Sequence, residues 1–391
     1  MKHILILSLL VLLAKGCTPE QFSEPVESVC VSNDPINSGY SGSEALQNLM
    51  NKYTRLGLPG VAMAVYSPQE GFWAGSSGFA KIEDKTPMQI CQLQYLQSVS
   101  KTYMAVAVLQ LYEAGKIDLD QSISSYLPLP YKGYPTDGEK ITVRMLLNHT
   151  SGVTEYTEDP SYVTYLLQHP RHTFSKEELL GFIKGKPLQY EPGAKYQYTN
   201  TNYMLLALAV DAITDDHAAY IRQNILAPLH LDNTLYYNTP NYLQAPRLVN
   251  TYWDRFGTGT LENNSAMQKA NVSSMIGDDG MVATPLDVVK FNKALMEGKL
   301  LKPSSLALMK TWVNDKNGKP TYGMGMFHIE LGRHVAYGHG GAGLGAGCAM
   351  LYFPEHDLYL FLATNVGTVT ESQFVGLTEN LKDEVIEALL H

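Results

Sequence analysis

The chain contains one Ser-x-x-Lys tetrapeptide, Ser98-Val-Ser-Lys101, and these two residue types can act together as a nucleophile and its base. On a helix, residues i and i+3 share a face, so Lys101 can reach the Ser98 hydroxyl. A serine hydroxyl is a weak nucleophile until a base takes its proton, and a lysine in a desolvated pocket has a lowered pKa that suits this task. In the competing interpretation, Ser98 only caps a helix and Lys101 is a solvated side chain.

A second candidate group, Tyr198-Thr-Asn200, follows about a hundred residues later, just before an apolar helical segment. A phenol beside a lysine ammonium can ionise more easily and shuttle a proton, and an amide can hold both the lysine and a substrate carbonyl. Tyr236-Tyr-Asn238 matches the same Tyr-x-Asn pattern. In a chain with 25 tyrosines the pattern alone cannot choose between the two.

A third candidate group is His339-Gly340-Gly341, followed by Ala342, which we predict to lie at the end of a short strand. Residues without large side chains let a substrate lie against a strand edge and leave backbone N–H groups free to bind an oxyanion. The alternative is a tight turn with a surface histidine. Lys316-Asn-Gly318 has a related pattern, but Pro320 soon after it indicates a loop.

The order and separation of the three groups resemble those of the penicillin-recognising serine hydrolases, the family of class C β-lactamases and D-Ala-D-Ala carboxypeptidases. The resemblance extends over residues 44–366. Four flanking stretches are also typical of the family: Leu111 to Asp120, Ile141 to Gly152, Gly277 to Thr284 and Tyr337 to Gly341. His149 belongs to one of these stretches and is expected to be structural.

The resemblance implies a mechanism through an acyl-serine. Ser98 would attack an acyl carbonyl, while Lys101 and Tyr198 would take its proton and deliver it to the leaving group. The backbone N–H groups of Ser98 and Ala342 would bind the oxyanion. Water would then hydrolyse the acyl-serine, and no metal or cofactor is expected.

The resemblance also assigns the substrate-binding residues, with one departure from the family. Asn200 would orient the lysine and the substrate, and His339 would supply polarity or positive charge opposite the nucleophile. Many penicillin-recognising relatives have Lys-Thr-Gly on this strand, where the cation and the hydroxyl help to bind a carboxylate. Here Gly340 stands at the hydroxyl position, followed by Gly341. Efficient turnover of carboxylate-bearing β-lactams is therefore not expected.

The resulting functional hypothesis is an exported serine hydrolase that acts on peptide or amide bonds of D-amino-acid type, as a D-Ala-D-Ala carboxypeptidase-like enzyme. Its substrate would be a small molecule or a peptide, including cell-wall peptides. An esterase, a weak β-lactamase or a D-aminopeptidase with the same mechanism is the first alternative. A non-catalytic binding or sensor module is the alternative of a different class.

Composition sets limits on the partners. With 29 Lys+Arg against 38 Asp+Glu the formal net charge is -9, opposite in sign to what phosphate neutralisation needs. Nucleic acid is therefore not an expected partner. Hydrophobic residues at 45% and charged residues at 17% indicate a folded globular chain rather than a disordered one.

The N-terminus predicts export. Residues 1–16 have a short basic start followed by an apolar run, which is the anatomy of a signal peptide. Cleavage by an ordinary signal peptidase and lipidation at Cys17 both remain open, so the protein would be periplasmic, anchored by a lipid or secreted. Residues 17–42 are expected to form an irregular leader. Export permits disulfides, but Cys30, Cys91 and Cys348 have no partners evident from sequence.

Hydrophobic periodicity predicts the elements that must position the candidate groups. Helical and strand patterns before residue 115 and after residue 271 alternate, whereas the stretch between has short capped helices and many loops. We therefore expect an α/β protein of the α+β type with a mostly antiparallel sheet flanked by helices. Residues 43–115 and 271–391 would form the sheet domain, and residues 116–270 an inserted all-helical domain.

Overall fold

The structure is a computed structural model that describes residues 23–31 and 34–391. The predicted signal peptide at residues 1–16 and the predicted lipid-anchor residue Cys17 lie outside the described residues. Among the described helices, none combines the length and apolar character needed to cross a bilayer.

Helices and strands alternate at both ends of the described chain. The α-helices are α1 Ser43–Arg55, α2 Ser100–Glu113, α3 Val143–Leu147, α4 Pro160–Gln168, α5 Lys176–Gly181, α6 Asn200–Thr214, α7 His217–Ile221, α8 Ser265–Ser274, α9 Pro285–Met296, α10 Pro303–Met309 and α11 Gln373–Leu390. The strands are β1 Gly60–Ser67, β2 Gly71–Lys81, β3 Thr86–Pro87, β4 Gln94–Tyr95, β5 Thr234–Leu235, β6 Tyr252–Trp253, β7 Glu262–Asn263, β8 Val282–Ala283, β9 Val313–Asn314, β10 Pro320–Tyr322, β11 Phe327–Leu331, β12 His334–Ala342, β13 Gly347–Phe353 and β14 Leu358–Thr364. Short 3₁₀ turns are Gln97–Val99, Ile123–Ser125, Leu129–Tyr131, Gly138–Lys140, Ala227–Leu229 and Pro240–Gln244, and Arg222–Leu226 is a π-helical turn.

The main sheet has nine strands in the order β3-β2-β1-β14-β13-β12-β11-β10-β9. Its central pairing joins the two ends of the chain, because β1 lies antiparallel to β14 with Val61 opposite Thr364 and Tyr66 opposite Tyr359. The other pairings in this sheet are also antiparallel. The predicted fold class, a mostly antiparallel sheet built from both chain ends with flanking helices, is confirmed.

Each face of the main sheet packs against its own pair of helices. Alternate strand residues point to opposite faces, so Val61 and Met63 join a core with α1 and α11, whereas Ala64 joins the larger core with α2 and α9. We call the first the outer face and the second the inner face. Helix α2 is buried along most of its length, because it lies between the inner face and the helical middle segment. Polar side chains at its start are consequently held in a desolvated environment.

The middle segment, residues 116–270, contains helices α3 to α7 and the start of α8, joined by turns and loops. Ser175 and Glu178 form a capping box at the start of α5, as their Ser-x-x-Glu spacing predicts. The segment also contains the two-residue strands β5, β6 and β7, which its sequence did not indicate. Strand β5 pairs with β8, which in turn pairs with β4, so this small sheet connects the segment to the strand just before Ser98.

Two predicted strands differ in extent from the observed ones. The sequence pattern predicts one strand from Tyr322 to Ile329, but the structure has two, β10 and β11, because the chain turns at Gly323 and lies against α2. In that turn the Gly325 carbonyl accepts a hydrogen bond of 2.6 Å from Thr102. Strand β12 is longer than the strand that the sequence pattern predicts from Val335 to Gly338. It runs from His334 through Ala342, so His339-Gly340-Gly341 is part of the strand and lies near its C-terminal end, as expected.

The described part of the leader is bound to the body of the protein. Cys30 and Cys91 form a disulfide, a pairing that the sequence did not reveal. The Glu27 amide donates to the Pro246 carbonyl at 2.8 Å, and the Asn37 amide donates to the Phe72 carbonyl at 2.7 Å. Residues 23–31 and 34–42 therefore pack as an irregular strap without helix or strand.

Candidate active site

Ser98 lies where strand β4 gives way to helix α2, on the 3₁₀ turn that begins the helix. The residue before it, Gln97, has a φ of 49°. A left-handed backbone is unfavourable for a non-glycine residue and is characteristic of sites where the surrounding structure holds a strained geometry. Here the strained residue directly precedes the candidate nucleophile and turns the chain from strand into helix.

The Lys101 ammonium group lies one helical turn beyond Ser98 and is fully buried. Its Nζ donates hydrogen bonds to Ser98 Oγ at 3.0 Å, to Asn200 Oδ1 at 2.7 Å and to the Asp278 carbonyl at 2.7 Å. Burial lowers the pKa of Lys101, while the nearby carboxylates of Asp278 and Asp279 oppose this shift. When Lys101 is neutral, its two N–H groups can donate to Asn200 Oδ1 and to the Asp278 carbonyl, and its lone pair then faces the Ser98 hydroxyl.

Asn200 begins helix α6, and Glu155 holds it in place. The Glu155 carboxylate accepts a hydrogen bond from the Asn200 amide at the helix N-terminus. Its other oxygen accepts from the Thr157 amide and from the Thr157 hydroxyl, both at 2.9 Å. A carboxylate at a helix N-terminus satisfies a free N–H and interacts favourably with the helix dipole. By holding the Asn200 backbone, Glu155 positions the Asn200 side chain that contacts Lys101. The sequence gave no signal for this role.

Tyr198 places its ring beside Lys101, with Nζ 5.1 Å from the ring centroid. Its hydroxyl is buried and has no hydrogen-bond partner of normal geometry among the described residues. Burial raises the pKa of Tyr198 well above its usual value, and the Ser98 hydroxyl beside it has the opposite, smaller effect. The phenol is therefore protonated at neutral pH, contrary to the expectation that the nearby ammonium would ease its ionisation, because burial dominates.

His149 packs behind Tyr198, with ring centroids 4.3 Å apart, and is fully buried. Its Nδ1 accepts hydrogen bonds from the Thr199 amide at 3.3 Å and from Asn202 Nδ2 at 3.1 Å. Burial and the Lys101 charge lower the pKa of His149 well below its usual value, so the ring is neutral. These contacts agree with the predicted structural role, since His149 supports the backbone and the ring of Tyr198.

The C-terminal end of β12 forms one wall of the cleft. Gly340, Gly341 and Ala342 line the same cavity as Ser98 and Tyr198. Here β12 has lost its partner on one side, because β11 pairs with it only as far as Gly338. A Cβ on Gly341 would lie 2.5 Å from the Leu96 carbonyl, so only glycine lets β12 approach the turn that carries Ser98 so closely. A Cβ on Gly340 would meet only the Cys348 carbonyl, at 3.8 Å.

His339 is buried and neutral. Its Nδ1 lies 2.6 Å from the Gly340 carbonyl and its Nε2 lies 3.0 Å from the Tyr322 hydroxyl. A carbonyl can only accept, so Nδ1 carries the proton and Nε2 accepts from Tyr322. Burial and the Lys101 charge lower the pKa of His339 to about 3. Of the two contributions expected from His339, the geometry therefore supports polarity and not positive charge.

Two buried acids lie behind Lys101, in the stretch from Gly277 to Gly280. Asp278 Oδ2 accepts a hydrogen bond from the Tyr156 hydroxyl at 2.8 Å, and Asp279 Oδ1 accepts from the Gly280 amide at 2.6 Å. Burial raises the pKa of Asp278 to about 6 and that of Asp279 to about 7. The family resemblance marks this stretch as typical but implies no contact between it and Lys101.

The two competing motifs lie elsewhere. The Tyr236 hydroxyl accepts a hydrogen bond from the Gly277 amide at 2.9 Å and lies 2.8 Å from His217 Nε2, so it belongs to the core. Lys316 lies in an exposed turn that ends at Gly318. The structure thus brings together Ser98, Lys101, Tyr198, Asn200 and the β12 residues. The two competing motifs are not part of this cleft.

A group of residues with metal-ligating side chains lies at the other end of β12, outside the residues that line the cleft. Among the described residues, His334, Glu355 and His356 have ligand atoms within 4.8 Å of one another. The side chains of Glu355 and His356 are exposed. This group does not contact the cleft, and the chemistry proposed below does not use it.

The nine-stranded sheet, its flanking helices and the buried Ser98–Lys101 pair define a serine hydrolase of the β-lactamase/transpeptidase fold. The Beta-lactamase family model matches residues 44–380. The chain therefore belongs to the Beta-lactamase family, as the three motifs predicted.

Similar proteins include a putative penicillin-binding protein, PbpX, of Bacillus subtilis (strain 168). It is 27% identical over 297 residues, which cover 75% of this chain and 67% of the relative. Among solved structures, a D-stereospecific amidohydrolase from Streptomyces sp. is 26% identical with a TM-score of 0.72, over 83% of this chain and 94% of that chain. A D-amino acid amidase from Ochrobactrum anthropi SV3 is 25% identical with a TM-score of 0.76, over 89% of this chain and 98% of that chain.

Proposed function

We propose that this protein is an exported serine hydrolase that cleaves amide bonds of D-amino-acid type through an acyl-Ser98 intermediate. One observation carries the proposal: Lys101 Nζ lies 3.0 Å from Ser98 Oγ and is fully buried. A desolvated lysine in hydrogen-bond contact with a serine can serve as its general base. Burying a charged lysine costs about 3 kcal/mol or more. A non-catalytic binding module would have no function that offsets this cost, so the burial of Lys101 against Ser98 favours an enzyme.

The first half of the reaction forms the acyl-enzyme. Neutral Lys101 takes the Ser98 proton as Oγ attacks the substrate carbonyl, and the backbone N–H groups of Ser98 and Ala342 stabilise the oxyanion. Tyr198, protonated at rest, donates its proton to the leaving nitrogen and regains one from Lys101. The C–N bond breaks, the amine leaves and the acyl group stays on Ser98.

The second half releases the product. Water enters, the same groups take one of its protons, and its oxygen attacks the acyl-serine carbonyl. The Ser98 oxygen leaves with a proton from Lys101, which restores the resting site. Asn200 holds Lys101 in place throughout, and Glu155 holds Asn200 at the helix start.

The wall formed by β12 favours a neutral amide over a substrate that ends in a carboxylate. His339 is uncharged, and Gly340 offers no hydroxyl at the position where many relatives carry one. A D-amino-acid amide needs neither group, whereas a D-Ala-D-Ala peptide ends in a carboxylate. The similarity to the D-stereospecific amidohydrolase and the D-amino acid amidase supports the same choice. D-Ala-D-Ala carboxypeptidase activity is the second candidate.

Two experiments test the proposal. Intact-mass spectrometry after treatment with a fluorophosphonate should find one adduct on the wild-type protein, none on Ser98→Ala, and one on Ser100→Ala, which is a matched control from the same motif. Folded wild-type protein without an adduct would contradict the enzyme hypothesis. D-amino-acid amides, D-Ala-D-Ala peptides, p-nitrophenyl esters and nitrocefin should then be compared on one preparation. Faster peptide than amide turnover would favour the carboxypeptidase, and ester turnover alone would favour an esterase.

Export rests on two observations. The predicted signal peptide precedes the described residues, and the Cys30–Cys91 disulfide is of a kind that persists in oxidising compartments. Expression in a bacterial host followed by fractionation and N-terminal mass analysis should recover a chain that lacks residues 1–16. A diacylglyceryl mass on Cys17 would support the lipid anchor, and an unprocessed chain in the cytoplasmic fraction would contradict export.

A further inference from the structure

The cleft at Ser98 continues into an apolar trough on the outer face of the main sheet. A single cavity of about 390 Å³ starts at Ser98, Tyr198 and His339, passes the unpaired end of β12, and reaches the space between the sheet and α11. We use the word trough for the part of this cavity that lies between the outer face of the sheet and α11. The residues that line it are Ile329, Leu331, Gly340, Ala342, Gly347, Ala349, Leu351, Leu362, Thr364, Thr368, Val375, Thr378, Glu379, Lys382 and Ile386.

The trough exists because small residues occupy the sheet positions beneath the start of α11. Gly340 lies opposite Ala349, and Ala342 lies opposite Gly347, in the register of β12 and β13. Cross-strand partners share a face, and Ala349 belongs to the outer-face core, so all four positions face α11. Interiors are normally close-packed, and side chains this small leave space between the sheet and the helix that lies over it.

The walls of the trough are mostly hydrocarbon, with three threonines and one ion pair among the lining residues. Ile329 and Leu331 close one side, and Val375 and Ile386 close the other. The charged residues that line the cavity are Glu379 and Lys382 on α11, which form an ion pair with each other. The hydroxyls of Thr364, Thr368 and Thr378 in the trough already donate to backbone carbonyls. A polar or charged occupant would therefore regain few of the hydrogen bonds it makes with water, whereas an apolar chain gains free energy on leaving water.

We propose that this trough binds an unbranched alkyl chain carried by the substrate that Ser98 attacks, so that the preferred substrates are amides or esters with such a chain. The occupant is a part of the substrate because the trough and the nucleophile share one continuous cavity. The proposal rests on the proposed function of Ser98. It adds the substrate class, which is amphipathic, with a polar reacting group and an apolar tail.

Two substrate series test the trough, both kept below their critical micelle concentrations. One is p-nitrophenyl acetate, butanoate, hexanoate and octanoate, and the other is a D-amino-acid amide with N-alkyl groups of increasing length. The value of kcat/KM should rise about fourfold for each added methylene in at least one series, since each buried methylene favours binding by roughly that factor.

The matched variants are Thr378→Phe, which places a ring in the trough, and Asn380→Phe, which places a ring on the exposed side of the same helix. With Thr378→Phe the chain-length dependence should disappear, while hydrolysis of the shortest substrate should stay within about twofold of the wild-type rate. With Asn380→Phe both should be unchanged. Val375→Phe gives a second blocking variant should Thr378→Phe fold poorly.

Two results would overturn the trough proposal without touching Ser98: flat dependence in both series, or equal chain-length dependence in Thr378→Phe, Val375→Phe and the wild type. The fluorophosphonate adduct and turnover of the shortest substrates would still be observed in either case. Failure of the proposed function itself differs from both, because no adduct and no turnover would then be seen at any chain length.

Discussion

The Tyr322 hydroxyl donates a hydrogen bond to His339 Nε2 across 3.0 Å, on the strand that faces the candidate nucleophile. Because His339 Nδ1 already donates to the Gly340 carbonyl at 2.6 Å, both ring nitrogens are satisfied while the ring is neutral. Protonation would place a hydrogen on Nε2 against the hydroxyl hydrogen of Tyr322, in a buried site close to the Lys101 charge. The side chain of His339 on β12 is therefore uncharged where the substrate would bind.

The first prediction concerns Gly340, the residue next to His339 that carries no side chain. Gly340→Thr should fold normally, because a Cβ there meets its nearest atom at 3.8 Å. The added hydroxyl should improve kcat/KM for carboxylate-bearing substrates, such as penicillins and D-Ala-D-Ala peptides, by about tenfold, the size of one hydrogen bond to a charged group. Amides without a carboxylate should gain nothing. Steady-state kinetics with both substrate types measures the difference.

The neighbouring glycine is the control for this substitution. Gly341→Thr should lose activity and stability, because its Cβ would lie 2.5 Å from the Leu96 carbonyl and 2.7 Å from Cys348 Sγ. Equal effects of the two substitutions on carboxylate-bearing and neutral substrates would show that Gly340 does not face the substrate.

The second prediction separates the two Tyr-x-Asn motifs. Tyr198→Phe should lower kcat about a hundredfold or more, since it removes the group that transfers the proton to the leaving nitrogen. Tyr236→Phe should change stability rather than kcat, because the Tyr236 hydroxyl bonds the Gly277 amide at 2.9 Å in the core. Single-turnover kinetics, with thermal unfolding of each variant, measures both effects. Similar loss of kcat in the two variants would mean that Tyr198 is not the proton-transfer group.

The third prediction concerns pH. Lys101 must be neutral to accept the Ser98 proton, so kcat/KM should rise with pH as Lys101 loses its proton. Burial lowers the pKa of Lys101 from its usual 10.5, so this rise should occur below that pH. The Asp279 carboxylate opposes the shift, and Asp279→Asn should therefore move the rise to lower pH, while the amide oxygen can still accept from Gly280.

The pH profile of kcat/KM, measured with a neutral amide, tests this shift. Asp315→Asn, in an exposed loop, is the control and should leave the profile unchanged. His339 should add no step between pH 5 and 8, because its pKa is about 3. A profile that stays in place in Asp279→Asn would show that Lys101 is not the group that controls the rate.

Much of the site could be predicted from sequence because its chemistry is local. Ser98 and Lys101 are one helical turn apart, and the small residues around His339 lie on one strand, so their spacing alone places them together. The ends of β13 and β14 can also be read from the sequence, because turn residues bound two largely apolar runs, Gly347–Phe353 and Leu358–Thr364, which are the observed strands.

The supporting contacts could not be predicted, because they join residues that are far apart in sequence and carry no pattern. Glu155 reaches the start of α6 from a loop, and Asp278 meets Lys101 through a backbone carbonyl, which any residue type could supply. The charge state of His339 depends on burial and on Tyr322, both of which follow only from the packed structure. The same is true of the break between β10 and β11, which results from packing against α2.

The fourth prediction concerns the disulfide that fastens the leader. Cys30 and Cys91 are 61 residues apart, and closing a loop of that length stabilises the folded chain by about 4 kcal/mol in the chain-entropy treatment. The double variant Cys30→Ser with Cys91→Ser should therefore unfold about 5 °C lower than the oxidised wild type, since a chain of this size loses roughly 1.3 °C per kcal/mol. Turnover of a short amide should be unchanged, because neither cysteine lines the cleft at Ser98. Reductant should lower the melting temperature of the wild type and leave that of the double variant where it is. A wild-type protein that melts at the same temperature with and without reductant would show that the remaining strap contacts, such as Glu27 to Pro246, already hold the leader in place.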